Sequence, residues 1–229
     1  MKNVVLILTV IALSICSCNN GTEHQAQTTV EKEQQDSILK ARIEAQEAEN
    51  KKLAFEDSIA VFAWDDAKFG MTKKEVLQTK AFSGSSDYGD SFSMDSDKRI
   101  AFQRCLGLNR MLSIWIDFGG KTENEVIKVR MDASAGWKDF TSLVIDMQKL
   151  IEKFASKYGM PDEQFEHLTS LSYKDLDQHK SILIAHWIIG SGTGLNGTKH
   201  IRIYASTYTE TSYQYKIDIY NSDFPKQTE

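Results

Sequence analysis

The sequence predicts an α+β fold: an antiparallel sheet of about six strands with helices on one face, in two α-β-β-β halves, preceded by a long helical stalk. Three observations predict it. Residues 30–61 contain neither Gly nor Pro and are rich in Glu, Lys, Gln and Ala, the composition of a long solvated helix. Later runs alternate apolar and polar residues with the period of a half-buried strand. A helical segment precedes each group of three such runs and divides them into two successive sets. The division that follows is a leader at 1–17, a flexible tether at 18–29, the stalk at 30–61, a globular domain at 62–221 and a tail at 222–229.

The leader has a positive residue, Lys2, and an apolar stretch from Val4 to Ile15. That stretch is about a dozen residues, too short for the roughly 20 needed to span a bilayer. It ends in Leu13-Ser14-Ile15-Cys16-Ser17-Cys18 and resembles a bacterial lipoprotein signal, in which a small residue precedes the cysteine that is diacylated and becomes the new N-terminus. Cys18 has Ser17 before it, whereas Cys16 has the bulky Ile15, so Cys18 is the expected lipidation site. Cys16 stands where the pattern usually has Ser, Ala or Thr. Each buried CH₂ contributes roughly 0.8 kcal/mol, so two or three acyl chains give a lasting anchor to the lipid bilayer. The expected location is the cell envelope, with the outer membrane as the membrane named. Later runs such as Ile182 to Ile189 are only strand-sized.

In the stalk, Asp36–Lys40 and Glu47–Lys51 are i,i+4 pairs in the favourable order. Ile38, Ala41, Ala45, Ala48, Lys52, Phe55, Ile59 and Phe62 recur at heptad steps, but the middle of that seam is Ala and Lys. A solvated helix fits better than a coiled coil, reaching roughly 50 Å, with Phe55, Ile59 and Phe62 docking its last turns on the domain.

Within the domain, Thr72 and Glu75 form a capping box opening a short helix to about Lys80. Residues 83–97, rich in Ser, Gly and Asp, read as a loop. Strands are expected at 99–106, 110–118 and 125–132. A helix follows at 138–158, with Leu143, Ile145, Met147, Leu150, Ile151 and Phe154 as its apolar face, Gly159 as its cap and Pro161 as its stop. Three further strands are expected at 181–189, 199–207 and 212–220.

Phe69-Gly70-Met71-Thr72-Lys73-Lys74-Glu75-Val76 resembles the G-M-T/S-x-x-x-V helix start of small outer-membrane lipoproteins of the SmpA/OmlA type and of the wider set sharing the β-lactamase-inhibitor-protein fold. The resemblance covers these eight residues. It implies a helical pair packed on an antiparallel sheet, and binding to other proteins rather than catalysis. Where that pattern closes its first helix with G-x-P, this chain has Lys80-Ala81-Phe82.

The composition narrows the function further. With 41% hydrophobic and 10% aromatic residues, the chain can build a sizeable core. Its net charge of −5, without a Lys/Arg run, argues against nucleic acid as a partner and against polybasic lipid binding. Cys105 reads as a buried inert thiol, left alone once Cys16 is removed and Cys18 alkylated. Gly192-Thr193-Gly194-Leu195-Asn196-Gly197 matches G-x-G-x-x-G, yet the strand after it suits a hairpin connection rather than a dinucleotide loop. His186 and His200 would face each other in a hairpin of their two strands, but two histidines are an incomplete metal site. Asp117 and Asp132 could approach across the sheet. No catalytic set, metal or cofactor is expected.

Trp115, Tyr204 and Tyr220 share the polar parity of their strands and are the expected partner or ligand surface, because Trp and Tyr dominate binding hot spots. The expected function is a non-enzymatic envelope lipoprotein that binds another envelope protein. The alternative is a small-molecule or glycan-binding domain using Trp115, Trp187 or the tyrosines.

Overall fold

The computed structural model describes residues 23–80, 82, 93–96, 98–104, 106, 108, 110–120, 124–133, 136–179, 181–190, 197–209 and 212–222. The leader with Cys18, the thiol of Cys105, the glycine-rich stretch at 191–196 and the tail from 223 onward lie outside the described residues. The chain divides into Met1–Asn50 and Lys51–Glu229.

The described residues of the first unit are all helical. They belong to α1 (Glu23–Ala60), which starts inside the segment expected to be a tether. Residues 34–50 are exposed throughout, with Ile38 and Ile43 more than half exposed, as a solvated helix requires. Among the described residues no helix is long and apolar enough to cross a membrane.

The second unit begins with the last turns of α1. Ala60 is fully buried and Ile59 packs against the core, but Phe55, expected to dock, is 58% exposed. A hairpin of β1 (Phe62–Trp64) and β2 (Ala67–Lys68) follows, its turn set by Asp65 at φ 47°. α2 (Lys73–Val76) carries the expected capping box: Glu75 N–H donates to Thr72 Oγ1 and Thr72 N–H donates to Glu75 Oε2 at 2.8 Å. Those bonds hold the Glu75 carboxyl below the usual carboxylate range. The helix ends at Val76, not Lys80; irregular turns carry the chain on to Lys80, whose amide donates to Asp66 at 2.6 Å.

The sheet is antiparallel. Its strands are β3 (Ser93–Ser96), β4 (Arg99–Arg104), β5 (Leu112–Gly119), β6 (Glu125–Ala133), β7 (Glu163–Gln164), β8 (Ser181–Ile189), β9 (Lys199–Thr209) and β10 (Ser212–Asn221). Their order is β3-β4-β5-β6-β10-β9-β8-β7, eight strands, or seven if the two-residue β7 is set aside. Two meanders, β4-β5-β6 and β8-β9-β10, therefore meet along a central β6–β10 seam, with Ile217 opposite Met131. The six expected strands are present. β3 falls within the segment read as a loop, and β7 has no apolar alternation to reveal it.

Between the meanders lie α3 (Phe140–Tyr158) and the short α4 (Tyr173–His179). Asp139 caps α3, accepting from the amides of Thr141 and Ser142, which holds its carboxyl below the usual range. Gly159, at φ 81°, closes the helix by donating to Ala155 O, and its own carbonyl accepts from Trp187 Nε1 at 2.8 Å. The buried stripe of α3 is Leu143, Asp146, Met147, Leu150, Ile151 and Phe154, helical steps of three and four. Ile145, expected in that stripe, is 47% exposed, and Asp146 is buried instead.

One apolar core joins α3, Leu176 of α4, the β1–β2 hairpin and the inner sheet face, where Ile114, Ile116, Met131, Ile201, Ile203, Ile217 and Ile219 are buried. Lys199 breaks that pattern. It is buried on the inner parity of β9, its Nζ 3.3 Å from Tyr158 Oη and 4.8 Å from that ring's centroid. Burial, reinforced by nearby Lys157, lowers its pKa to about 7.

Candidate functional site: the outer sheet face

Strand alternation sends every second residue away from the core, and the register arranges those residues in rows across the sheet. One row runs Trp115, Arg130, Asp218, Arg202, His186 and Glu163. The next runs Arg99, Asp117, Lys128, Tyr220 and His200. A third runs Ser113, Asp132, Lys216 and Tyr204. Cations outnumber carboxylates across these three rows, the reverse of the balance in the whole chain.

Asp117 organises the β4-β5-β6 end. Arg130 grips it with Nε at 2.7 Å and Nη2 at 3.1 Å, and Arg99 Nε adds a third bond at 2.8 Å. Each guanidinium carbon lies 5.5 Å from the Trp115 ring centroid, so the ion cluster also fixes the indole. Such cation–π contacts contribute about 0.5–1 kcal/mol at partly exposed sites. Burial works against the Arg130 charge. The hydrogen bonds and charge of Asp117, with Asp132 and Asp218 beyond it, outweigh that and raise its pKa above the ordinary arginine value.

The β8-β9-β10 end is an aromatic ladder. His186 and His200 stack at 5.2 Å between centroids, and His200 and Tyr220 at 4.8 Å. His186 Nε2 and His200 Nδ1 are 3.0 Å apart, while His186 Nδ1 faces Glu163 Oε2 at 3.5 Å. Arg202 Nε donates to His186 Nε2 at 3.4 Å, so that nitrogen is the acceptor and His200 Nδ1–H the donor. Arg202 also lies over the Tyr220 ring at 5.3 Å. Burial raises the Tyr220 hydroxyl above its ordinary pKa, with Arg202 opposing. The histidines thus use their nitrogens on each other and on neighbours, and among the described residues no group of three or more metal-ligating side chains forms.

Trp115, Tyr204 and Tyr220 share this face and are half-buried, but they are not one aromatic patch. They occupy separate rows, with Arg130, Lys128, Asp218 and Lys216 between them. Tyr204 stands opposite Lys216 and Leu183, two rows along the strands from Tyr220, whose hydroxyl it still influences electrostatically. Trp187, the other stacking candidate, is 1% exposed and packs on Phe154 in the core, so it cannot meet a ligand. Asp117 and Asp132 do not pair: Asp117 faces Lys128, and Asp132 faces Ser113 further along the strands. Burial raises the Asp132 carboxyl above its usual range, with Lys216, Arg130 and Lys128 opposing and Asp218 adding to the rise. The histidines and arginines of the ladder were missed as partners of Tyr220. Their signal was parity, since His200, Arg202 and Tyr204 alternate with Ile201 and Ile203.

No known protein family matches the chain, and neither does any curated protein or solved structure.

Proposed function

We propose that the protein is a non-enzymatic envelope lipoprotein, anchored in the outer membrane through diacylated Cys18, whose domain docks an acidic surface of another envelope protein. The observation that carries the reading is the outer sheet face, where Trp115 and Tyr220 sit half-exposed in frames of Arg99, Arg130 and Arg202. Rings held by neighbours lose little entropy on binding, and arginines beside them steer a carboxylate-bearing partner. The Gly70-Met71-Thr72 helix start and the order of elements support a fold of the SmpA/OmlA and β-lactamase-inhibitor-protein kind. In that reading the halves are α2 with β4-β5-β6 and the α3 region with β8-β9-β10, their helices on one face.

Two measurements test the proposal. Mass spectrometry of the membrane-extracted chain should find a diacylglyceryl group on an N-terminal Cys18, and Cys18→Ala should lose it together with membrane retention. A photo-crosslinking residue at position 204, on the open part of the face, should capture one discrete envelope protein. Lys216→Glu should abolish that capture in a folded chain. An unmodified N-terminus, or capture indifferent to Lys216→Glu, would overturn the corresponding half of the proposal.

A further inference from the structure

Among the described residues Lys199 is the lysine sealed from water, 1% exposed at the first position of β9. The backbone that carries it is paired on both sides, with Ile189 of β8 and Asn221 of β10 opposite Lys199. Its cover is the last turn of α3. Lys199 Nζ donates to Tyr158 Oη at 3.3 Å, and the Tyr158 ring stacks on Phe154 at 6.0 Å between centroids. Trp187 ties that turn to the sheet, packing on Phe154 at 5.7 Å and donating from Nε1 to the Gly159 carbonyl at 2.8 Å.

What this amine needs depends on its charge. An ammonium has three N–H donors and no acceptor. Among the described residues Tyr158 Oη is the hydrogen-bond partner that Nζ has. The Tyr158 ring, 4.8 Å away at its centroid, adds a cation–π contact, but Lys157 lies over the same ring at 5.1 Å. A charged Lys199 therefore has donors left dry beside a second cation. The surrounding elements bring no compensating charge: α3 contributes Lys157 and Tyr158, β8 contributes Ile189, and β10 contributes Asn221. Asp57 of α1 approaches Gly190, next to Ile189, yet burial and Lys157 are what act on the Lys199 charge. Both oppose it and bring its pKa to about 7, so the charged and neutral amines exchange near neutrality.

We propose that Lys199 is a pH-sensitive latch on the C-terminal turn of α3, holding Tyr158 down while its amine is neutral and releasing the turn when protonated. Water supplies the acceptors that a charged amine lacks in the core. β9 is fixed between two strands, so the turn is what gives way. It is the end of a helix, followed by Gly159 at φ 81° and by the exposed Met160. Helix ends open at the least cost. Release bares Phe154 and Trp187, both buried in the closed form. The latch stands apart from the outer face and does not rest on docking there.

The test is amide hydrogen exchange of the full chain, read by mass spectrometry and corrected for intrinsic rates. Between about pH 8.5 and about pH 6, the peptide covering 154–160 should lose protection at least about tenfold, because protonation favours the open form. Peptides from β5 and β6 should keep theirs. Lys199→Met should hold the turn closed at both pH values. Lys157→Ala removes a charge that opposes protonation, so the midpoint of opening should move to higher pH. Equal protection of 154–160 at both pH values, the outcome if Lys199 swings out to water by itself, would overturn the proposal. So would a Lys199→Met protein that opens in acid like the parent, or a Lys157→Ala midpoint that fails to rise.

Discussion

The two faces of the sheet are made by the same strands and obey different physics. The inner face is a continuous apolar surface in which Ile114, Met131, Ile203 and Ile217 are sealed from water. The outer face is a lattice of Arg, Asp, His and Tyr in which Arg99, Arg130, Arg202, Lys128, Asp117 and Asp218 each have a named partner or ring. Burial of area stabilises the first and is insensitive to ionic strength. Charge pairing fixes the second, and it contributes mainly order, since ion pairs in contact with water add little net stability. The lesson is a division of labour along one backbone: one parity holds the fold, and the other holds an ordered array of charges and rings at the surface.

That contrast can be broken most severely from the inside. Trp187→Ala removes a buried indole and its hydrogen bond to Gly159, and should cost about 4 kcal/mol in denaturant unfolding, equally at low and high salt. Asp117→Ala should cost about 2–3 kcal/mol at low salt by stranding Arg99 and Arg130 together, and the loss should shrink in 1 M NaCl, where roughly 3 Å screening applies. If both losses were equally indifferent to salt, the distinction between the faces would fail.

Lys199 sharpens the comparison, because it places a charge on the apolar parity. Its pKa is lowered on folding to about 7, so the folded state sheds a proton that the unfolded chain keeps. The stability penalty is therefore complete below pH 7 and fades as pH rises toward the unfolded value near 10.5. Lys199→Met should raise stability by about 2 kcal/mol at pH 6, with the gain dwindling by pH 10 in parallel melts. A gain that grows with pH would mean the lysine is favourably paired when charged. The smallest effect belongs to the outer face. Lys128→Ala removes a pair at 2.9 Å to Asp218 in which both side chains are nearly a third exposed, and should cost under about 1 kcal/mol.

The inner face was legible in the sequence because period-two alternation of branched residues has few readings. The strands at 181–189 and 199–207 emerge within two residues of Ser181–Ile189 and Lys199–Thr209. Short elements were not legible. β7 is Glu-Gln with both residues exposed, and α4 is only seven residues long, so neither carries a full period. The outer aromatics were found by parity, but their grouping depends on register. That is why Trp115 joins Arg99 and Arg130 instead of Tyr220. Asp146 was hidden for another reason. Ile145 looked like the natural member of the stripe, yet Leu143, Asp146, Met147 and Leu150 are the set with helical steps of three, four and seven.

The seam between β6 and β10 has a consequence for how the molecule comes to exist. Its two meanders are built from neighbouring hairpins and can assemble locally. The strand that joins them, β10, lies at the far end of the described chain and must find β6 across the whole of α3, α4, β8 and β9. Until it does, each half exposes an unpaired strand edge and half a core, the state most open to intermolecular pairing. A growing chain becomes available N-terminus first, so this sheet closes only when its last strand is present. Closure of the sheet is thereby coupled to the presence of its last strand, and a chain cut before Ser212 should expose the β6 and β9 edges that β10 otherwise covers.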